Sequence, residues 1–201
     1  MKRYIFILVM AAAAAFVACK SDPVVPATVD QREILPLAAG NSWNFLRSWI
    51  DTNGVTVDSI SLQMTVGQPE SLGTERAYPV SNFPFVFVNP SPLLCANKAG
   101  GLYNVIPGPD PLSRAFAKVF AYPTSPGELT TIYGYTIRTG TVSEQVVVPS
   151  GSYTCVRYDI LQSDSLLGQL YVAPGTGIVK SWQWYYGVSA LVDELRSFQL
   201  H

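Results

Sequence analysis

The feature that most constrains the fold is the alternation of apolar and polar residues in short runs separated by glycine and proline turns. From Ile60 to Val66 every second residue is apolar, and the residues between them are serine, glutamine and threonine. This period of two is typical of a β-strand with one buried face. The preceding residues 51–54 (Asp-Thr-Asn-Gly) contain Asn-Gly, a strong hairpin signal. The sequence therefore predicts that 42–51 and 55–66 pair as a β-hairpin.

The C-terminal half repeats this pattern. Val156, Tyr158 and Ile160 fall on one face of a predicted strand. Consecutive strands joined by short turns indicate an antiparallel meander. The predicted strands of this half cover 145–148, 156–160, 166–172, 178–186 and 192–200.

The middle of the chain, 81–126, is rich in proline, which sheets accept mainly at edges, bulges and loops. We expect short strands and long loops there. Asp110 and Pro111 are a suitable N-cap and first residue for a short helix, on which Leu112, Phe116 and Val119 would share one face. A loop is the alternative.

The first eighteen residues have the organisation of a secretory signal peptide. Lys2 and Arg3 precede an apolar stretch, 4–18, of 15 residues. A membrane-spanning helix needs about 20 apolar residues, whereas this shorter stretch suits the hydrophobic region of a signal. The sequence therefore predicts export, and an uncut membrane anchor is the alternative.

The residues around Cys19 resemble the lipobox of bacterial lipoproteins. Val17 and Ala18 fit that box, and Phe16 stands in place of the usual leucine. The resemblance implies that the Cys19 thiol carries diacylglycerol, that cleavage precedes it and that the new amine is usually acylated. Several acyl chains on one residue hold a protein firmly to a bilayer. An ordinary secretory signal with an incidental cysteine is the alternative.

This signal divides the chain into a signal peptide at 1–18, a lipidated cysteine with a flexible tether at 19–34, and a single β domain at 35–201. The partner implied by acylated Cys19 is the membrane. Similarity to known sorting rules, with Lys20 rather than aspartate after the cysteine, implies the outer membrane. Its periplasmic face and its surface face both stay open.

Three segments together resemble a group of bacterial lipoproteins that has no established activity. They are 35–43 (Leu-Pro-Leu-Ala-Ala-Gly-Asn-Ser-Trp), 148–153 (Val-Pro-Ser-Gly-Ser-Tyr) and 171–180, which contains Ala-Pro-Gly-Thr-Gly. The resemblance implies a curved antiparallel sheet, similar to the half-barrel of lipoprotein carriers. The expected fold is therefore all-β and mainly antiparallel, a strongly curved sheet or open half-barrel with at most one or two short helices.

Charge and histidine content exclude several function classes. Thirteen basic residues stand against 14 acidic residues without a basic run, which excludes a highly basic nucleic-acid binder. The single histidine, His201, is the last residue, so a Ser-His-Asp or Cys-His relay would need the C-terminus to fold into a cleft. A histidine-rich zinc site is equally excluded. We predict no metal, no cofactor and no nucleic-acid partner.

Two patterns resemble catalytic motifs but have structural explanations. Residues 173–177 (Ala-Pro-Gly-Thr-Gly) lack the following helix that a phosphate loop needs, so they predict a turn. Ser150 and Ser152 flank a glycine, but they lack the strand-to-helix setting of a nucleophile elbow. Neither pattern predicts catalysis.

A carboxylate pair is the remaining route to an enzyme. Asp193 and Glu194 are adjacent, so on a strand their side chains point to opposite faces. Asp159 and Asp164 could converge only in three dimensions. A hydrolase of an envelope glycan is therefore the alternative to a noncatalytic protein, and the missing motifs favour the noncatalytic protein.

Cys95 and Cys155 remain once Cys19 is lipidated. Such a pair in an oxidising compartment predicts either a disulfide or two buried thiols. A bond closing a loop of about 60 residues would stabilise the fold by about 4 kcal/mol.

Aromatic residues recur at alternate positions of two predicted strands. On a curved sheet these faces could line a concave surface that binds an acyl chain or another apolar ligand, and aromatic rings also stack on sugars. The simpler interpretation is that they form the core. We predict a noncatalytic envelope lipoprotein that binds an apolar ligand or an envelope protein. The six aromatic residues are Trp43, Phe45, Trp49, Trp182, Trp184 and Tyr186.

Replacing Cys19 by alanine tests the anchor. Because the variant has no thiol to acylate, we expect it to leave the membrane fraction, as measured by fractionation and by the mass of the N-terminal peptide. Ser21→Ala keeps the thiol and serves as the control that stays in membranes. A processed Cys19→Ala chain that stayed in membranes would contradict the anchor.

Overall fold

The computed structural model describes residues 33–84, 92–107, 113–185 and 189–201. The predicted signal peptide, Cys19 and most of the predicted tether lie outside these ranges. Every regular element within them is a β-strand, which confirms the all-β prediction. The strands are β1 (Ser42–Asp51), β2 (Thr56–Val66), β3 (Glu70–Leu72), β4 (Glu75–Ser81), β5 (Leu93–Lys98), β6 (Gly101–Pro107), β7 (Arg114–Ala121), β8 (Leu129–Ile132), β9 (Tyr135–Thr139), β10 (Glu144–Val148), β11 (Gly151–Gln162), β12 (Ser165–Ala173), β13 (Gly177–Tyr185) and β14 (Ser189–Gln199).

Twelve of these strands form one continuous path in an antiparallel sheet that curls almost into a closed barrel. Their order is β7-β6-β5-β4-β2-β1-β14-β13-β12-β11-β9-β8, while β10 pairs with β11 and β3 with β4 off this path. The end strands β7 and β8 pack side by side. The Thr130 hydroxyl donates to the carbonyl of Val119 across this seam, at 3.0 Å. The predicted curved antiparallel architecture is confirmed.

The predicted N-terminal hairpin is present. β1 pairs with β2 in antiparallel register, and Gly54 in the turn has a φ of +80°, which favours glycine. The structure pairs β2 with β4 only at Thr65 and Val66, so among the described strands the N-terminal part of β2 is paired with β1 alone. Ile60, which the alternation predicted as buried, is for this reason 46% exposed.

The inner face of the sheet carries the core. The predicted buried face of β11 is confirmed, since Val156, Tyr158 and Ile160 are all buried. The rings of Phe120 and Tyr158 stack with their centroids 4.6 Å apart. The Tyr158 hydroxyl donates to the carbonyl of Ala121 at 2.7 Å. Side chains from β7 and β11 thus meet inside the curved sheet and belong to one continuous cluster of buried residues.

The segment before β1 belongs to this core. Ile34 and Leu35 are each 1% exposed, although Ile34 was predicted to lie in the tether. The amide of Asn97 donates to the carbonyl of Leu35 at 2.8 Å, and Gly175 N–H donates to the carbonyl of Glu33 at 2.9 Å. The packed domain therefore begins before Leu35. Burying an aliphatic side chain such as that of Ile34 stabilises the folded state by about 1.5–3 kcal/mol.

Two of the three segments that carry the family resemblance touch one another. Trp43 Nε1 donates to the carbonyl of Thr176 at 2.6 Å. A Cβ on Gly177, whose φ is +99°, would lie 2.7 Å from Leu35 Cδ1 and 3.3 Å from Trp43 Nε1. The turn between β12 and β13 thus fits closely against the start of the domain, which explains why glycine stands at this position.

The middle of the chain contains more strand than expected. Phe116 and Val119 lie in β7, which begins at Arg114, so the predicted helix is wrong at these positions. Asp110, Pro111 and Leu112 lie outside the described residues. The apolar spacing in this segment suits a helix as well as a strand, and pairing with β6 stabilises the strand.

Cys95 and Cys155 are both buried free thiols, so the structure corrects the disulfide alternative. They lie on β5 and β11 within the same hydrophobic core. Burial raises the pKa of Cys95 to about 12. The pKa of Cys155 is also raised to about 12, mainly by burial and to a smaller extent by the negative charge of Glu144. Both sulfurs therefore stay protonated near neutral pH and pack as small apolar groups.

Substituting Gly177 by alanine tests the contact between the β12–β13 turn and the N-terminal segment. We expect a loss of roughly 2–4 kcal/mol in unfolding free energy, since φ strain adds to overlap with Leu35. Gly54→Ala is the matched control, because it has positive φ and no atom within 4 Å of the added Cβ. Its loss should be roughly 1–2 kcal/mol. Equal losses in urea denaturation would contradict the close fit.

Candidate functional site

The structure divides the predicted aromatic residues between the two faces of the sheet. Trp43 and Phe45 point into the core and are 0% and 1% exposed, as the core interpretation expected. Trp49 on β1 is partly buried. On β13 the buried neighbours of the two tryptophans are Ser181 and Gln183, so Trp182 and Trp184 point outwards. The six residues therefore do not form one concave aromatic face.

The outward aromatic pair is partly accessible to solvent. The rings of Trp182 and Trp184 meet edge to face with centroids 5.3 Å apart. Trp184 is 45% exposed. Tyr186, the third aromatic residue predicted on this face, lies outside the described residues. The two rings thus present a partly exposed aromatic surface on the outer face of the sheet.

Trp182 lies in a groove on the outer face, which we call the outer groove. It has a volume of about 470 Å³ and crosses β1, β14, β13 and β12, with one residue from β2. Its size falls in the range typical of small-molecule sites. The outer groove is lined by Ser48, Ile50, Thr56, Leu166, Gln169, Tyr171, Lys180, Trp182, Val192 and Glu194.

Strand register places the groove residues side by side. Val192 on β14 lies between Ser48 on β1 and Trp182 on β13, and Gln169 on β12 lies opposite Trp182. Glu194 lies opposite Lys180 in the neighbouring row. Because residues two apart on a strand share a face, these rows form one continuous surface. The groove is thus a direct product of the antiparallel register.

An ion pair forms the polar edge of the groove. Lys180 Nζ donates to Glu194 Oε1 at 2.8 Å, and the two side chains are 30% and 31% exposed. Such a pair adds little to stability because water screens it. It does place a cationic donor beside an anionic acceptor at the apolar surface of Trp182 and Val192.

A hydrogen-bonded network holds the β12 side of the groove. Tyr171 O–H donates to Gln169 Oε1 at 3.0 Å, and Gln169 Nε2 donates to Asp159 Oδ1 at 2.9 Å. Asp159 also pairs with Arg157 and Arg138, at 3.1 and 3.2 Å. Burial raises the pKa of Tyr171. These hydrogen bonds orient the Tyr171 and Gln169 side chains at the groove surface.

The acidic residues named from the sequence are separated by the fold. Asp193 is 0% exposed and points into the core, while its neighbour Glu194 lines the outer groove, so the prediction of opposite faces is confirmed. Asp193 accepts two bonds from Arg47, at 2.7 and 3.0 Å, and one from Ser181 at 2.8 Å. Asp164 lies in the exposed β11–β12 turn. Asp193 is thus a structural ion-pair residue.

A second, smaller cavity of about 350 Å³ lies where the described chain begins. Glu33, Ile34, Lys98 and Tyr122 are among the residues that line it. This cavity borders the β5–β6 turn, at the opposite end of β1 from Ile50 in the outer groove. None of the residues singled out from the sequence as binding residues lines it.

The other sequence motifs have structural roles. Residues 173–177 form the predicted turn, and β13 follows it directly. Ser150 N–H donates to the carbonyl of Leu195 at 3.1 Å, and Tyr153 O–H donates to Ser150 Oγ at 3.1 Å. The backbone N–H of His201 donates to Asn41 Oδ1 at 2.8 Å.

The described ranges contain neither a cluster of metal-ligating side chains nor a helix suited to cross a membrane. Among residues 33–84, 92–107, 113–185 and 189–201, no three histidine, cysteine or acidic side chains converge as metal ligands. A helix with the length and hydropathy required to cross a bilayer is also not found in these ranges.

Comparisons with known proteins give fold-level neighbours only. No family model and no curated protein matches the chain. Among solved structures, it is similar to a Bacteroides fragilis protein described as a candidate exported protein with a YMCC-like fold. That match has 15% identity and a TM-score of 0.45, and it covers 83% of this chain and 98% of the other. It is also similar to a Parabacteroides distasonis candidate lipoprotein, with 14% identity, a TM-score of 0.44, and coverage of 85% and 100%.

Sequence reasoning missed most of the outer groove. It singled out Trp182 and Trp184 as binding residues and considered Glu194 only as a member of a carboxylate pair. It did not single out Lys180 or Gln169, which line the groove with Trp182. A partial signal was present, because Lys180 and Trp182 are two residues apart and so share a face of β13. No local sequence pattern predicts the strand register that brings β1 and β14 beside the β13 residues.

Truncating two tryptophans distinguishes core from surface. Trp43→Ala should lose roughly 3–5 kcal/mol of unfolding free energy, because it empties a buried site and removes the bond to Thr176. Trp184→Ala should lose less than about 1 kcal/mol, since this ring is half exposed. Urea denaturation of both variants measures the difference. A large loss for Trp184→Ala would place that ring in the core.

Proposed function

We propose that this chain is a lipid-anchored, noncatalytic binding protein of the bacterial cell envelope, and that its ligand occupies the outer groove. The proposed anchor is Cys19, acylated with palmitate or a similar chain and inserted in the outer membrane. The signal peptide and the resemblance to a lipobox support this part. The binding function rests on the structure of the β domain.

One observation carries the binding function, namely the open outer groove, which Trp182 lines and beside which the half-exposed ring of Trp184 lies. Ile50, Val192 and Trp182 give the groove an apolar surface on the solvent side of the sheet. The network around Gln169 and Tyr171 fixes its wall. Apolar side chains held in place around a few polar groups are typical of ligand sites that exist before the ligand binds.

The side chains inside the sheet argue against a ligand site there. Trp43, Phe45, Phe120 and Tyr158 are large and almost completely buried. They belong to one cluster that extends over most of the described strands. A carrier of acyl chains would need enclosed apolar space at these positions. The outer groove is therefore the better candidate.

The distribution of carboxylates favours binding over glycan hydrolysis. Glycoside hydrolases commonly use two carboxyl groups, about 5–10 Å apart, on either side of the scissile bond. Glu194 is the one acidic residue among the described residues that line the outer groove. Asp193 lies on the opposite face of β14 and is paired with Arg47.

Site-specific photo-cross-linking in intact cells tests the proposal. A benzoylphenylalanine replaces Thr56, an exposed residue of the outer groove. We expect an adduct on irradiation, detected by mass spectrometry of the tryptic peptide, and we expect Trp182→Ala to abolish it. The matched control is the same replacement at Thr131, which is exposed on β8 and does not line the groove.

Three results would contradict this function. One is the absence of any adduct at Thr56, and another is an identical adduct at Thr131. The third is an adduct that persists in the Trp182→Ala variant. The chemical class of the adduct does not enter this test, so a glycan, a lipid or a protein supports the binding function equally.

A further inference from the structure

We infer that the ligand of the outer groove is a saccharide, bound by stacking on Trp182 and by hydrogen bonds to Lys180 and Glu194. This inference rests on the proposed function and specifies the class of ligand. It follows from the mixture of groups on the groove surface and from the shape of that surface.

The ion pair offers what two adjacent sugar hydroxyls need. Each hydroxyl both donates and accepts a hydrogen bond, whereas an ammonium only donates and a carboxylate only accepts. Lys180 Nζ and Glu194 Oε1 are 2.8 Å apart and about one-third exposed. One hydroxyl can therefore accept from Lys180 while its neighbour donates to Glu194. Hydrogen bonds to charged groups are the stronger kind.

The rings beside this pair match the other surface of a sugar. A pyranose has an apolar C–H face and a polar rim of hydroxyls. Trp182 and Tyr171 line the groove together with Lys180, and Lys180 lies opposite Tyr171 in the strand register. A sugar ring lying on Trp182 can thus place its rim against the Lys180–Glu194 pair.

The same polar groups disfavour an acyl chain. A hydrocarbon laid along the groove would remove water from the Lys180–Glu194 pair and from Ser48, Thr56 and Gln169 without replacing its hydrogen bonds. Burying polar and charged groups in this way is costly. Hydroxyl groups replace the lost water directly. An open groove also buries less of an acyl chain than an enclosed pocket does.

The position of the groove disfavours an added strand from a protein partner. Strand addition needs an exposed sheet edge with unpaired backbone groups. The outer groove instead lies on the face of four mutually paired strands, where the backbone bonds are already made. Its volume of about 470 Å³ suits a small ligand or a short stretch of a polymer.

Calorimetric titration of the anchored chain tests the inference. The mature protein is extracted from membranes and reconstituted in phosphatidylcholine nanodiscs, with empty nanodiscs as the blank. The probes are four hexasaccharides, namely chitohexaose, cellohexaose, maltohexaose and mannohexaose, at millimolar concentration. We expect at least one to bind and to change tryptophan fluorescence.

Variants connect that binding to the groove. Lys180→Met and Glu194→Gln should each weaken binding about tenfold or more, because the first removes a charged donor and the second replaces a charged acceptor by a neutral amide oxygen. Trp182→Ala should abolish the fluorescence change. Glu70→Gln is the matched control, since it removes another surface ion pair, with Arg114, outside the groove. Both Glu→Gln variants alter partly exposed side chains, so we expect both to fold. The comparison between them therefore tests the inference even if Trp182→Ala is unstable.

Each outcome supports or overturns the inference. Saccharide binding that is weakened by Glu194→Gln and not by Glu70→Gln supports it. Failure of all four probes to bind overturns it, as does equal weakening by both Glu→Gln variants. A photoactivatable palmitate in the nanodisc that labels the peptide containing Trp182 would also overturn it. An adduct at Thr56 in cells, found together with any of these negative results, leaves the binding function standing without a saccharide.

Discussion

The pairing of the first strand with the last one joins the two halves of this molecule. β1 to β7 form one side of the strand path and β8 to β14 the other, and the β1–β14 ladder is where they meet. On its inner side the ladder places Arg47 opposite Asp193, which forms a bidentate ion pair. On its outer side it places Ser48 opposite Val192 in the outer groove. Core and groove both depend on this one register.

The buried ion pair has a different energetic role from the exposed one. Asp193 is fully buried, so its pairing with Arg47 and Ser181 mainly offsets the cost of removing charges from water. Lys180 and Glu194 remain partly hydrated and contribute little to stability. They are therefore the pair that the proposed ligand would use, because rearranging them costs the fold little. A shift of β14 by one residue would turn Asp193 to the outer face of the sheet and Glu194 to the inner face.

Local patterns in the sequence predicted the strands and turns but not the site. The alternation in 60–66, the Asn-Gly turn and the turn at 173–177 all correspond to observed elements. The burial of Ile60 was wrong because burial depends on a neighbouring strand, and β4 pairs with only the end of β2. The helix near Phe116 was wrong because pairing with β6 decided the conformation. Lys180 and Glu194 become neighbours only through the β13–β14 register, which depends on the whole sheet.

The contacts that complete the domain join residues far apart in the sequence. Trp43 bonds to Thr176, 133 positions later, and Arg47 bonds to Asp193, 146 positions later. Contacts of such separation make folding slow, because a long chain must be ordered before they form. β14 is also the last of the described strands in chain order. Until β14 has been synthesised, β1 lacks its partner on that side and the two halves of the sheet cannot join.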